Sequence, residues 1–569
     1  MLDWTDARHL ASLQAGDRYS LQAPKHPERP RPFTAIEFVA SGGEDVVSSR
    51  LIGVLVDKGQ GEAYYTLGGP QTASNEPPCW LSAINADGGI AVCWHGQRLY
   101  FHVFLRQLGE ALASQGFTIF PYASQTSIKA ISLKLGKREW LLCDAECVTG
   151  TEGMDLGTFA GTMGADWTGS LPDVSRLYHS MLAFQRLTIE HFGVGLKVTA
   201  GSAAIAAMSR FLPDGAKWWP PNPLLSAFCR IGGAYRGGYS YGTRYHGLAW
   251  KVDINKAYTA ALGYGLPLRG VLGTCLHDGK EADGVYLCRV EGRGEYPAYI
   301  STWRGFDSGF HKQTAHTFRT LAYLPQAEFA GLRVMGYAVT PLYGFRFTSH
   351  LDLSPFTARL AWLQSTYARG TAQHAIGKAF GNSVVGKLAQ GRERTDVCYA
   401  SYPPDTSWHP FITTTQDIVP YLWARTTDKP ASYHHIDAAT VITARVRNQV
   451  YNLMGAWQAR GGSVYHVDTD GAIISADPNG IIDLDDKRIG AWRNEGFDSQ
   501  CTVIRAKCYV WQGKAVTAGV SGIPPETIEL ALGPKIVTVG RAVLHVPWLG
   551  LPQTEDSTYS IGPTDRSPI

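Results

Sequence analysis

YHVDTDGAII (465–474), taken with WKVDINKAY (250–258), decides how this chain is read. Each is a short apolar run with strand character that ends in acid, so each delivers carboxylates to the end of a strand. Asp468 and Asp470 stand two residues apart. On a continuing strand they would share a face, and at a hairpin tip both could reach one ion. With Asp253 they make three uncompensated carboxylates, which repel one another and find a natural counterion in magnesium, a hard, oxygen-seeking cation. Two such ions a few ångströms apart would lower the pKa of an attacking hydroxyl and neutralise a departing pyrophosphate. Manganese could substitute. The competing reading is an ordinary hairpin, for which Asp470-Gly471 is a common signal.

Working outward, IGKAFGNSVVGKLAQ (376–390) lies between the two acidic strands. On a helix Lys378 and Asn382 share a face, where a lysine can meet a triphosphate as a point charge. The small side chains of Ser383 and Gly386 allow close approach of a base pair. The plainer alternative is an amphipathic helix with one solvated lysine. The second half thus reads as a strand (247–254), a long insertion, a helix-compatible stretch (358–389) and a strand (462–475).

The whole chain sets the frame. Its 569 residues exceed one ordinary core, and with 44% hydrophobic and 18% charged residues it is expected to fold as two to four units. A net charge of +3 neither demands nor excludes a polyanionic partner. The ten cysteines show no paired CxxC spacing, and no basic-then-apolar leader or membrane-length apolar run is present. A cytoplasmic location is expected, the host's cytoplasm for a viral protein. A Pro-rich lead-in (16–32) precedes strand-like Phe33 to Val39, and β-rich runs at 51–57 and 139–147 alternate with a helical pattern at 102–117. Val174, Leu177, Met181, Phe184 and Leu187 predict a helix over 174–192. Pro-rich 212–223 and Gly-rich 230–242 mark a boundary, placed near Tyr235.

Taken in order, VDINKAY, KAFGNSVVG, VDTDG and KCY (507–509) resemble motifs A, B, C and KxY of family B DNA polymerases. AYRGGYS (234–240) is similar to the YxGG linker between their exonuclease and polymerase domains, and TARVR (443–447) to a template-binding Thr/Arg motif. In length and motif spacing the resemblance is nearest to the protein-primed group of tailed phages and linear plasmids. It covers roughly residues 33 to 569, weakly in the first third and at the C-terminus.

The resemblance implies an α/β multidomain fold, an RNase H-like exonuclease-type domain followed by a right-hand polymerase. The lead-in would be 1–32, the exonuclease-like domain 33–234 and the polymerase 235–569. Within the last it implies a palm at about 240–270 and 433–514, insertions at about 271–350 and 390–432, fingers at about 351–389 and a thumb at about 515–569. Asp253 and Asp470 would bind metal, with Asp468 beside them. Tyr258 would be the steric gate against ribonucleotides. Lys378 and Arg369 would hold the incoming triphosphate, with Asn382 and Ser383 lining its pocket. Tyr235, Arg236, Thr443, Arg447, Lys507 and Tyr509 would contact template or primer. The implied partners are DNA template and primer, dNTPs and a terminal protein, with the chain working as a monomer. One insertion would grip the terminal protein and the other encircle downstream template.

Departures from the family pattern matter too. Lys256, Ala257, Thr259 and Ala260 replace the usual motif A residues around Tyr258, Val385 stands for a tyrosine and Gly471 for a serine. Loss of an aromatic platform at 385 would alter fidelity or template use. The family's exonuclease acids are mostly missing: Ala35 replaces Asp, Tyr100 replaces Asp and Leu182 replaces Asp, leaving Glu37 and Tyr178. One carboxylate cannot hold two ions, so a domain without proofreading is expected. A rival is that Asp144 and Glu146, spaced Asp-x-Glu, rebuild a nuclease site. Two alternatives remain for the whole chain. One is a specialised nucleotidyltransferase that primes de novo, copies RNA or extends ends without template. The other is a non-catalytic nucleic-acid-binding scaffold.

Overall fold

The computed structural model describes residues 23–41, 50–59, 62–66, 78–84, 88–94, 100–123, 128–164, 173–212, 222–277, 280–304, 309–391, 393–411, 421–428, 433–517, 524–530, 537–540 and 558–561. Residues 1–22 of the lead-in and most of the expected thumb therefore lie outside the described residues. Structure in the lead-in begins before the first strand. Glu28 pairs with Lys197 at 2.9 Å and Arg210 at 3.1 Å, anchoring the chain before it enters Phe33–Ser41.

Phe33–Ser41 sits inside a ten-stranded sheet. On one side Arg50–Asp57 and then Glu62–Thr66 add antiparallel; on the other Gly88–Cys93 and Arg138–Asp144 add parallel. An antiparallel hairpin, Thr118–Ala123 with Ile128–Leu135, continues the sheet. The predicted helices form at Phe101–Ser114 and Asp173–Phe192, the second packed on the first two strands. The run at 139–147 does not stay extended. It leaves the strand at Asp144, whose carboxylate accepts the Cys147 N–H and caps the helix Ala145–Thr149.

The segment 390–432, expected as an insertion in the second unit, extends the first unit's sheet. Glu393–Tyr399, Leu422–Asp428 and His409–Pro410 join it through Tyr399 opposite Ile119. Gly109 makes this possible, because a Cβ there would stand 2.6 Å from the Tyr399 ring.

A second, seven-stranded antiparallel sheet has Tyr245–Ile254 at its centre, with Gly471–Ile474, Val464–Asp468 and Ser240–Gly242 on one side and Trp492–Arg505, Cys508–Trp511 and Lys514–Thr517 on the other. A four-stranded antiparallel sheet with strands up to 20 residues long occupies most of 266–351. The helix-compatible stretch 358–389 is two helices, Ser354–Thr366 and Ala372–Ala389. Gly370 takes a left-handed φ of +90° and the Thr371 hydroxyl caps the second helix, so the chain turns there and leaves Arg369 exposed at the corner.

No clean gap divides the halves. One apolar core runs from Phe33 and Val92 through Phe192, Phe356 and Phe380 to Val252 and Ile254. The rings of Phe192 and Phe380 lie 5.1 Å apart. The long helix Ile436–Gln458 packs mainly against the helices Phe329–Val334, Ala372–Ala389 and Ala257–Gly263 and is buried over most of its length. No described helix is long and apolar enough to cross a membrane.

Candidate active site

The acids meet at one end of the seven-stranded sheet. DTD is a hairpin tip: Asp468 stands opposite Gly471, and Thr469 between the aspartates adopts a left-handed φ of 64°. Gly471 in turn stands opposite Asp253 on the neighbouring strand. The Ile254 N–H donates to the Asp470 carbonyl at 2.8 Å, which locks the tip onto that strand. Burial, then Asp253 and Asp468, push the Asp470 carboxyl up to about 7. Burial and then Glu495 push Asp253 up to about 6, against the pull of Arg493, Lys251 and Arg369. A Cβ at Gly471 would lie 3.4 Å from Asp253 Oδ1, so the family's serine would fit this position.

Cations ring the acids. Lys507 Nζ lies 3.2 Å from Asp468 Oδ1, and Arg493 Nη2 lies 2.9 Å from Asp253 Oδ2. Exposed Lys378 lowers the Asp470 carboxyl and exposed Arg369 lowers Asp253, so both project their charge onto the acids. Lys256 joins them. Its ammonium donates to Ser365 Oγ at 2.8 Å, and burial, with Arg493 and Arg369 adding to it, brings its pKa down to about 8.

Tyr258 is half-buried on the short helix Ala257–Gly263, and after burial the Asp470 charge is the largest cause of its raised pKa. The helix Ala372–Ala389 approaches this helix closely at Gly381, where a Cβ would stand 2.8 Å from Thr259 Oγ1. Asn382 is exposed and Ser383 half-buried, whereas Val385 is 5% exposed and belongs to the core. The side chain at 385 therefore meets no open surface, and a platform lost there is a core position in this chain.

Three expected template contacts are placed differently. Arg236 and Arg447 are wholly buried around Glu328, itself wholly buried. Arg236 Nη2 donates to Glu328 Oε2 at 2.5 Å, and Arg447 donates to Glu328 Oε1 and to the carbonyls of Arg236 and Gly237. A buried glutamate requires such partners, so these arginines shape the junction from within instead of reaching a strand. Thr443 is 3% exposed and returns its hydroxyl to the Ala439 carbonyl. Tyr235 remains half-buried beside Lys312, 5.8 Å from its ring centre. Tyr509 packs against His466 at 4.6 Å. Sequence reasoning missed Arg493, Glu495, Lys251 and Glu328. Arg493 and Glu495 alternate along a strand whose pairing with 250–258 only the fold reveals.

A groove of about 1610 Å³ opens beside Ser383, between the 118–135 hairpin, the helix Ala372–Ala389 and the 393–433 segment. Its walls pair cations with rings: Arg425 over Trp408 at 4.7 Å, Lys387 over Tyr433 at 5.6 Å and Lys134 over Phe120 at 5.7 Å. Basic groups interleaved with aromatics suit a single nucleic-acid strand.

The N-terminal positions look different. Ala35 is wholly buried, Tyr178 stacks on Phe33 at 5.1 Å, Leu182 packs on the core and Tyr100 lies 5.6 Å from Phe38. Half-buried Glu37 is left, its carboxyl raised by burial and then by Asp173 and Glu62. Asp144 and Glu146 do not rebuild the site. Both are fully buried, Asp144 capping its helix and Glu146 accepting the Gly153 N–H at 3.0 Å.

Among the described residues no group of three or more His, Cys, Asp or Glu side chains converges into a ready metal cage. No protein-family model matches the sequence. No curated protein matches it. Solved structures do. Phi29 DNA polymerase complexed with primer-template DNA and incoming nucleotide substrates superposes with a TM-score of 0.64 at 15% identity, covering 90% of this chain and 97% of that one. The same enzyme with single-stranded DNA gives 0.58 at 16% identity, over 86% and 90%. The chain is thus a mixed α/β multidomain protein with the fold of phi29 DNA polymerase, a protein-primed family B enzyme.

Proposed function

We propose that this chain is a template-directed DNA polymerase that extends a primer 3′-hydroxyl, or a terminal-protein hydroxyl, from dNTPs. The observation that carries the reading is the union of Asp253, Asp468 and Asp470 at one sheet end, faced by Lys378, Arg369 and Lys256. In this reading the ten-stranded sheet holds an RNase H-like unit, since its parallel strands 88–93 and 138–144 flank the antiparallel trio in the arrangement such units use. The seven-stranded sheet is the palm, the helix pair 354–389 the fingers, and the residues after about 515 the thumb.

The acids fit magnesium, with manganese as a substitute. Asp470 is largely buried and its pKa is raised by burial and then by Asp253 and Asp468, a repulsion that a divalent cation relieves. Magnesium is commonly held by one or two carboxylates that share the ion with substrate phosphates and water, which is the role proposed for Asp253 and Asp470. Bound there, the ion supplies Lewis acidity to the attacking hydroxyl and charge to the departing pyrophosphate. The protein's own groups do the rest. Lys378, Arg369 and Lys256 draw in the triphosphate, and Asn382 and Ser383 border the nascent pair. Tyr258, beside Asp470, fills the space that a ribose 2′-hydroxyl would need. Lys507 holds Asp468 and faces the primer end, while Tyr235 and Tyr509 lie toward primer and template. The basic, ring-lined groove takes single-stranded template away from Ser383, with the 393–428 strands as its outer wall.

Glu37 standing without its former partners supports synthesis without proofreading. Protein priming, a phage or linear-plasmid source, a monomeric state and a cytoplasmic location belong to the same proposal and rest on the likeness to the protein-primed group. The test is extension of a labelled primer on a defined template with magnesium and dNTPs, comparing the wild type with Asp470→Ala and omitting template in one lane. Templated extension lost in the variant supports the reading. Template-independent products favour the specialised nucleotidyltransferase, and DNA binding with no incorporation on primer or terminal protein favours the scaffold.

A further inference from the structure

We infer that Arg493 is a working member of the carboxylate site, a resident counter-ion that ties Asp253 to Glu495 and releases Asp253 when a divalent ion binds. The inference rests on the polymerase reading in taking Asp253 as a metal ligand.

Arg493 stands directly opposite Asp253 on the adjacent antiparallel strand, so the two side chains lie on one face of the sheet. Its Nη2 donates to Asp253 Oδ2 at 2.9 Å and to Glu495 Oε1 at 2.5 Å. Glu495 also takes Lys251 at 3.2 Å, so it keeps a cation when Arg493 shifts. Both bonds from Arg493 come from one nitrogen. The planar fork is therefore not spent bidentately on either carboxylate, the geometry that makes an Arg–carboxylate pair hard to open. Exposure points the same way: the side chains of Arg493, Asp253 and Glu495 are 18%, 28% and 23% exposed, sheltered enough for the pair to matter and open enough for an ion to reach it.

Contrast Arg236 and Arg447, which grip Glu328 at zero exposure and cannot exchange partners without opening the core. Arg493 can. A divalent ion arriving at Asp253 needs the oxygen that Arg493 holds, so the guanidinium competes with it. Once displaced, Arg493 stays anchored by Glu495 on the side of the site where Lys256 and Arg369 already gather positive charge. Arg493 is thus a positioning residue whose contact with Asp253 sets how readily the bare site takes up metal.

The experiment is Mn2+ binding to the full chain without nucleotide, followed by electron paramagnetic resonance, for the wild type, Arg493→Gln, Arg493→Lys and Asp253→Asn. Expected is tighter binding by Arg493→Gln, about fivefold, the effect of removing one partly exposed ionic competitor. Arg493→Lys should fall between. Melting in EDTA and then in Mg2+ gives a second readout: Arg493→Gln should melt lower than the wild type in EDTA and gain more on adding Mg2+. Unchanged or weaker Mn2+ binding by Arg493→Gln, with binding still lost in Asp253→Asn, overturns this inference and leaves the polymerase reading standing. Binding indifferent to Asp253→Asn overturns both.

Discussion

At the end of the seven-stranded sheet burial, with Asp253 and Asp468 adding to it, pushes the Asp470 carboxyl up to about 7. On the strand Phe33–Ser41 and the helix Asp173–Phe192 that packs on it, Ala35, Tyr178 and Leu182 belong to or pack on the apolar core, and Glu37 is the acid left among the four positions. Crowded carboxylates cost folding free energy, whereas alanine, leucine and a stacked tyrosine contribute to it. The first set of positions is packed as core and the second stays under electrostatic strain, which is the contrast the proposed function rests on. The difference also shows in the neighbours. Arg493, Lys507, Lys378 and Arg369 bring positive charge to the acids of the seven-stranded sheet, while the groups acting on Glu37 are two further acids.

Asp470→Asn should have the largest effect. In the proposed reading incorporation should fall by about a thousandfold or more, because one of the two carboxylates assigned to the metal is lost with little change in shape. Single-nucleotide insertion kinetics measure it, and a variant within tenfold of the wild type would mean that the strained acids are not the working ones.

Next in size is Glu328→Gln. Glu328 compensates two buried arginines from different parts of the chain, so neutralising it strands charge in the interior and should cost about 3 kcal/mol. Urea unfolding monitored by tryptophan fluorescence reads the loss. A midpoint unchanged from wild type would show that the junction does not depend on this triad.

Tyr258→Val should then relax sugar selection, raising ribonucleotide insertion relative to deoxynucleotide by on the order of tenfold to a hundredfold while deoxynucleotide insertion changes less. Equal selectivity in the variant would remove Tyr258 from the gate.

How much of this was legible in the sequence follows from where each residue sits. The acids and Lys378 could be singled out because short-range pattern places them: strand ends, a helix face and a hairpin tip are local, whereas Tyr258 came only from the family resemblance. The helix at 173–192 and the strand at 50–57 were legible for the same reason. Arg236 and Arg447 were misread because a motif records which residues recur and not which way they point. Their burial is dictated by Glu328, some ninety or more residues away in sequence. The break at 367–371 was hidden because apolar spacing runs through it, although Gly370 and Thr371 were its signal. Arg493 could not be seen at all, since its importance lies in its register against Asp253, 240 residues earlier.

Glu37→Gln is the smallest expected effect and completes the contrast. Metal-dependent trimming of a primer 3′ end should be the same in variant and wild type, at background in both. Stability gives the positive signal. Burial, with Asp173 and Glu62 adding to it, holds the Glu37 carboxyl above its ordinary value of 4.5 in the folded chain, so protonation favours folding. That contribution is fully present below the ordinary value and is lost as pH rises through the higher folded one. Glutamine carries no such dependence. At pH 7 the variant should therefore be slightly more stable than the wild type, by less than about 1 kcal/mol because solvent screens a half-exposed carboxyl. Below pH 4 the two should converge. Trimming present in the wild type and lost in Glu37→Gln would instead mean that the N-terminal site still works, and that apolar packing around one acid does not silence it.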